Sequence, residues 1–197
     1  MRALRLSLAA ALALLLLADQ LFPPPLPGRS APHAQVVVAR DGTPLRAFPD
    51  RTHIWRHPVR IEEVSPRYVD ALLGFEDRYF RWHPGVNPFA LLRAGWQWAA
   101  SGRVVSGGST LTMQVARILE PTPHTVPGKL RQVARALQLE LRLSKREILE
   151  LYLTFAPMGG VLEGVEAASR AYLGKPAQRL TAAEAAPVVR EIAAEVM

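Results

Sequence analysis

Ser65-Pro66-Arg67-Tyr68-Val69-Asp70-Ala71-Leu72-Leu73-Gly74-Phe75-Glu76-Asp77-Arg78-Tyr79-Phe80 reads as an amphipathic helix. Ser65 suits an N-cap, and Pro66 suits the first helical position, where no amide hydrogen is needed. The pattern predicts a helix over 66–81. Val69, Leu72, Leu73 and Phe80 lie within about 100° of one another, and Glu76 falls in the middle of that stripe. A carboxylate on a core-facing stripe is costly unless paired or protonated, and desolvation raises its pKa toward the range of a general base or acid. The alternative is a Glu satisfied by a buried arginine such as Arg117 or Arg135. Asp77 points about a quarter turn away and is expected to orient a neighbour rather than share the proton.

Outward from this segment the pattern stays helical. Helices are expected over 88–100 behind Asn87 and Pro88, over 109–119 behind Gly107, Gly108 and Ser109, and over 128–142. A capping box of Ser144 and Glu147 opens a helix to about 153. Another covers 161–173 and closes at Gly174, and Thr181 with Glu184 opens a last one. Pro187 should break or kink that last helix. Upstream, Gln35–Ala39 and Leu45–Phe48 read as a small hairpin turning at Asp41 and Gly42. No internal repeat is evident, and the fold class is mainly α with a short N-terminal β-hairpin.

Gly108, Ser109 and Thr110 at a helix start form a second chemical feature. Glycines allow close approach, and unpaired helix amides with two hydroxyls can hold an anion; a plain loop end is the alternative. Thr110, Gln114 and Arg117 form a polar stripe, and Leu111, Val115, Ile118 and Leu119 the core stripe. In the next helix Leu130, Val133, Ala134, Leu137 and Leu141 are expected to be buried. Lys129, Gln132 and Arg135 lie beside them, as a solvated basic face or as part of a site. Trp55, Trp82, Trp96 and Trp98 suit either a membrane interface or the core. The five histidines show no ligand spacing, which argues against zinc.

The 197 residues carry 24 basic and 17 acidic side chains, a net charge of +7, and no cysteine. Disulfide scaffolds and thiolate chemistry are excluded. A basic chain implies an anionic partner. Arg2 and Arg5 followed by the apolar run Leu6–Ala18 select a membrane over nucleic acid, since the positive-inside rule leaves the remainder outside the cytoplasm. The expected organisation is a cytoplasmic tip and transmembrane anchor over 1–22 and a proline-rich stalk over 23–34. A hairpin and linker follow over 35–60, then the main domain over 61–197. A cleaved signal peptide is the alternative reading of the first segment.

Three ordered blocks carry a family resemblance. They are Glu76-Asp77-x-x-Phe80-x-x-His83-x-Gly85, Gly107-Gly108-Ser109-Thr110-Leu111-Thr112-Met113-Gln114, and Ser144-Lys145-x-Glu147-Ile148-Leu149-x-x-Tyr152-Leu153. Together they resemble the peptidoglycan glycosyltransferase domain of class A penicillin-binding proteins, with phrases most similar to the 1C subgroup. The resemblance implies a lysozyme-like fold at the outer face of the bacterial cytoplasmic membrane, polymerising lipid II into β-1,4 glycan strands. It makes Glu76 the general base, supported by Asp77. It places Phe80, His83, Gly108, Ser109, Thr110, Gln114, Arg117, Lys129 and Gln132 around substrate and pyrophosphate. It adds a divalent cation such as Mg²⁺ as an expected helper, and other cell-wall synthesis proteins as partners. Gln132 stands where the family has a second Glu, and Thr154 where it has Asn. No Ser has a Lys three residues later, so no transpeptidase nucleophile is expected, and the sequence reads as a chain truncated before such a domain. A non-catalytic lipid II-binding module and a lytic, lysozyme-like glycan cleaver are the alternative functions.

Overall fold

The computed structural model describes residues 19–28, 33–40, 44–101, 108–123 and 125–186. Six helices dominate: α1 Pro66–Glu76, α2 Pro88–Ser101, α3 Leu111–Leu119, α4 Val126–Arg142, α5 Lys145–Phe155 and α6 Val165–Leu173. Residues 182–186 are helical as well. The expected hairpin forms as β1 Gln35–Val38 antiparallel to β2 Pro44–Phe48. Its turn residues Asp41 and Gly42 lie outside the described residues, as do the apolar run 6–18, Gly107 and Pro187. Among the described residues no helix is long and apolar enough to cross a membrane.

Helix α3 is the central element. It packs against α4 and α5, and Leu111 through Ala116 are all buried, including the polar Thr112 and Gln114. Tyr68 of α1 and Tyr152 of α5, both fully buried, close the core around it with Leu72, Met113, Leu139 and Ile148. Burying such side chains contributes about 1.5–3 kcal/mol each, so the apolar packing around α3 fixes the frame that the polar groups use.

Local chemistry explains the helix ends. Thr125 caps α4 by accepting from Gly128 N. The Ser144–Glu147 capping box opens α5, and Thr181 donates both its N–H and its hydroxyl to the Glu184 carboxylate before residue 182. Gly174 closes α6 in the left-handed conformation, at φ 65°.

Several expectations are corrected. The first helix stops at Glu76 rather than 81, because Asp77 leaves helical geometry at φ −159°; Phe80 is therefore buried from a turn, not from the helical stripe. Helix α3 begins at Leu111 with Thr110, not Ser109, as N-cap. The helix expected from 161 begins at Val165, since Leu162–Glu163 forms β4, parallel to β3 at Trp55–Arg56. Gly164 makes that switch at φ +82°, where an added Cβ would lie 2.5 Å from the Thr154 carbonyl oxygen.

The largest correction concerns α4. Leu130, Leu137 and Leu141 are exposed, and the buried positions are Gly128, Gln132, Ala136 and Leu139. The helix is turned so that its small and amide side chains meet α3 and the Gly85 loop. A Cβ on Gly85 would sit 2.9 Å from the Ala136 carbonyl oxygen, so only glycine permits that approach. On another side of α4, Arg142 grips Asp19 at 2.8 Å, while Arg135 and Gln138 donate to the Phe22 carbonyl. The segment that follows the apolar run is thereby tied to the domain.

Candidate active site

Glu76 is the last residue of α1, half-buried, with its two oxygens in different surroundings. Oε2 accepts from Gln114 Nε2 at 2.7 Å, whereas Oε1 is buried and has no hydrogen-bond partner. Neither arginine considered from sequence neutralises it. Arg135 pairs with Glu120 at 2.6 Å, and Arg117 makes no ion pair among the described residues. Burial pushes the Glu76 carboxyl above the usual range, the Gln114 hydrogen bond pulls it partly back, and the neighbouring Asp77 charge raises it further. The result is a carboxylate held at one oxygen and bare at the other, suited to taking a proton.

Asp77 does different work. Its carboxylate meets His83 Nε2 at 3.0 Å from both oxygens, and Oδ2 also accepts from Leu111 N, the first amide of α3, at 2.9 Å. It therefore joins the end of α1 to the start of α3, and its anion faces the positive end of that helix. Thr110 adds a second joint, donating to the Gly85 carbonyl at 2.5 Å while accepting from Met113 N. Phe80 and His83 are interior, edge to face at 6.5 Å between centroids. Lys145 sits 4.5 Å above the Phe80 ring and binds the His83 carbonyl and Glu140.

The opposite end of the site is cationic. Lys129 Nζ donates to Ser109 Oγ at 2.5 Å and to Gln132 Oε1 at 2.9 Å. Gln132 is buried and donates its Nε2 to the Met113 carbonyl at 2.8 Å. Burial lowers the Lys129 pKa, and the adjacent Arg117 charge lowers it further. The two cations thus lie close enough for each to feel the other's charge, and among the described residues neither forms an ion pair with a carboxylate, the electrostatic signature of an anion site. Gly108 and Ser109 are half-buried at its edge.

This donor set does not match the divalent cation that the family resemblance implies. The oxygens beside Lys129, Ser109 Oγ and Gln132 Oε1, already accept from it. Among the described residues no group of three or more His, Cys, Asp or Glu could hold a metal ion.

Sequence reading gave no role to Tyr152. Its hydroxyl donates to Gln114 Oε1 at 3.2 Å and so fixes which end of the amide faces Glu76. The Thr112–Glu140–Lys145 chain, which steadies the His83 loop, was likewise unassigned. Tyr152 lies in the third quoted block, but helical spacing presents it only as a core aromatic. Thr154, the departure from the family's Asn, is buried and accepts from Val59 N at 3.3 Å.

The transglycosylase family model matches residues 41–194, which include both ends of this site. The chain belongs to the transglycosylase family. Penicillin-binding protein 1C of Escherichia coli is 60% identical over 185 residues, covering 92% of this chain and 24% of that protein. Penicillin-binding protein 1A of Pseudomonas aeruginosa is 38% identical over 153 residues, 77% of this chain and 18% of its own length. Penicillin-binding protein 1B of Vibrio cholerae is 43% identical over 127 residues, 62% of this chain and 16% of its own. The chain spans a quarter or less of the length of these curated relatives.

Proposed function

We propose that this transglycosylase-family chain is a peptidoglycan glycosyltransferase, polymerising lipid II into β-1,4 glycan strands in cell-wall synthesis. The observation that carries the reading is the arrangement along α3: an under-paired carboxylate, Glu76, tethered through Gln114, and an uncompensated pair of cations, Lys129 and Arg117. A base and an anion site held against one rigid helix are what a sugar transfer with a diphosphate leaving group requires. Glu76 Oε1 takes the proton from the acceptor's 4-hydroxyl as that oxygen attacks the donor's anomeric carbon with inversion. The bond to the diphosphate breaks on the far side, and Lys129, Arg117 and Ser109 receive the charge of the departing undecaprenyl pyrophosphate. Asp77, Phe80, His83 and Thr110 hold the two ends in register.

A lipid-linked substrate requires a membrane surface, and exposed apolar side chains support that placement. Trp82 is 85% exposed, Phe89 80% and Trp96 76%, with Phe75, Tyr79 and Leu92 also exposed and Arg78, Arg81 and Arg93 between them in sequence. On this reading the apolar run 6–18 anchors the chain in the bacterial cytoplasmic membrane, with the domain outside and other cell-wall synthesis proteins nearby.

The test is polymerisation of lipid II by the purified chain. The expected result is polymer from the wild type and a loss of about 10³-fold in Glu76→Gln, within the range for removal of a general base, with lipid II binding retained. Because the folded-state pKa of Glu76 is raised, its ionisation opposes folding as pH rises through that value. Glu76→Gln should accordingly melt no lower than wild type at neutral pH. Binding of lipid II without polymer would favour the docking alternative, and soluble muropeptides released from sacculi would favour glycan cleavage.

A further inference from the structure

The two ends of the Gln132 side chain have partners of opposite kind. Its Nε2 donates to the Met113 carbonyl at 2.8 Å, and its Oε1 accepts from Lys129 Nζ at 2.9 Å. A flipped amide would set N–H against an ammonium and oxygen against a carbonyl, so one orientation is locked. An ammonium has three donors. Ser109 and Gln132 use two of those on Lys129, and both acceptors are uncharged, so one N–H and the whole positive charge remain for a ligand.

Apart from Glu76, which Gln114 tethers at one oxygen, the acidic side chains around α3 are committed elsewhere. Asp77 holds His83 and Leu111 N, Glu120 holds Arg131 and Arg135, and Glu140 holds Lys145 and Thr112. In sequence, the stretch 102–107 just before Gly108 contains Arg103 and no acidic residue. Mg²⁺ is ordinarily held through one or two carboxylates as well as phosphate oxygens. A carboxylate at 132 would supply one, but it would also neutralise Lys129 and face the Met113 carbonyl.

We propose that Gln132 is a positioning residue that makes the diphosphate subsite independent of divalent metal. It holds Lys129 in place without cancelling its charge, so that Lys129 and Arg117 themselves neutralise the leaving group. The inference rests on the reading above that the leaving group is a diphosphate. Calorimetric titration of the full chain with inorganic pyrophosphate, in EDTA and in excess Mg²⁺, tests it. Wild type should bind in EDTA, with Mg²⁺ giving no tightening. Gln132→Glu should bind at least about tenfold more weakly in EDTA, the worth of one charge-assisted contact, and should regain affinity when Mg²⁺ is added. Gln132→Met, which removes the acceptor without adding charge, should stay closer to wild type in EDTA and show no Mg²⁺ response, which separates charge from packing. Melting temperatures verify that each variant is folded. Wild-type binding that appears only with Mg²⁺, or a Gln132→Glu that binds like wild type in EDTA, overturns the inference and leaves the diphosphate reading standing. A wild type that neither binds pyrophosphate nor polymerises lipid II overturns both.

Discussion

Gln114 and Gln132 are two buried amides that tether two charges beside the same helix with opposite polarity. Gln114 turns its N–H toward Glu76 because the Tyr152 hydroxyl occupies its oxygen. Gln132 turns its oxygen toward Lys129 because the Met113 carbonyl occupies its N–H. In each case the distal partner decides what the amide offers. The difference shows how one side-chain type can position an anion at one end of α3 and a cation at the other. An amide positions a charge without neutralising it, whereas a direct ion pair would have consumed both groups.

That comparison can be broken at its shared support. Asp77→Asn removes the anion that joins His83 to the first amide of α3, on which both tethers hang. The expected loss is about 3 kcal/mol of stability, measured by denaturant unfolding, because buried hydrogen bonds to a charged group are lost. Both pyrophosphate binding and polymerisation should fall with it. Next in size, Lys129→Met strips the cationic end alone. Polymerisation should drop about 10²-fold, the melting temperature should move little, and the acidic limb of the pH–rate profile should stay where it is.

The anionic end responds in the complementary way. Gln114→Leu removes the hydrogen bond that lowers the Glu76 pKa, so that pKa rises and the acidic limb of the pH–rate profile moves to higher pH. Activity is lost chiefly on the acid side, where Glu76 is now protonated. The smallest change is Tyr152→Phe, which frees the Gln114 amide to turn. It should cost about 1 kcal/mol and move the limb in the same direction by less. A limb that moves with Lys129→Met but not with Gln114→Leu would contradict the division of labour between the two amides.

Much of this was legible residue by residue. Ser144 with Glu147, Thr181 with Glu184, and Gly174 mark helix ends through chemistry confined to one turn, and each occurs where the local pattern puts it. Glu76 stood out because a carboxylate interrupts an apolar stripe. The rotation of α4 was not legible. Its leucines form a regular apolar arc, yet Leu130 and Leu141 face outward while Gln132 is buried. The close approach of Gly85 to Ala136 and the Met113 carbonyl that receives Gln132 come from distant parts of the chain, and helical periodicity contains no information about them.

The sequence by itself determined a mainly helical domain behind a β-hairpin, the identities of the charged groups, and the caps that delimit the helices, since these depend on neighbours within a turn. Only the tertiary structure decided that Asp77 ends α1 to hold the start of α3, that residues 55–56 and 162–163 pair in parallel, and that Tyr152 and Met113 set the directions of the two amides. The physical reason is that a buried polar group takes its meaning from the partner that satisfies it, and here those partners lie 19 to 38 residues away.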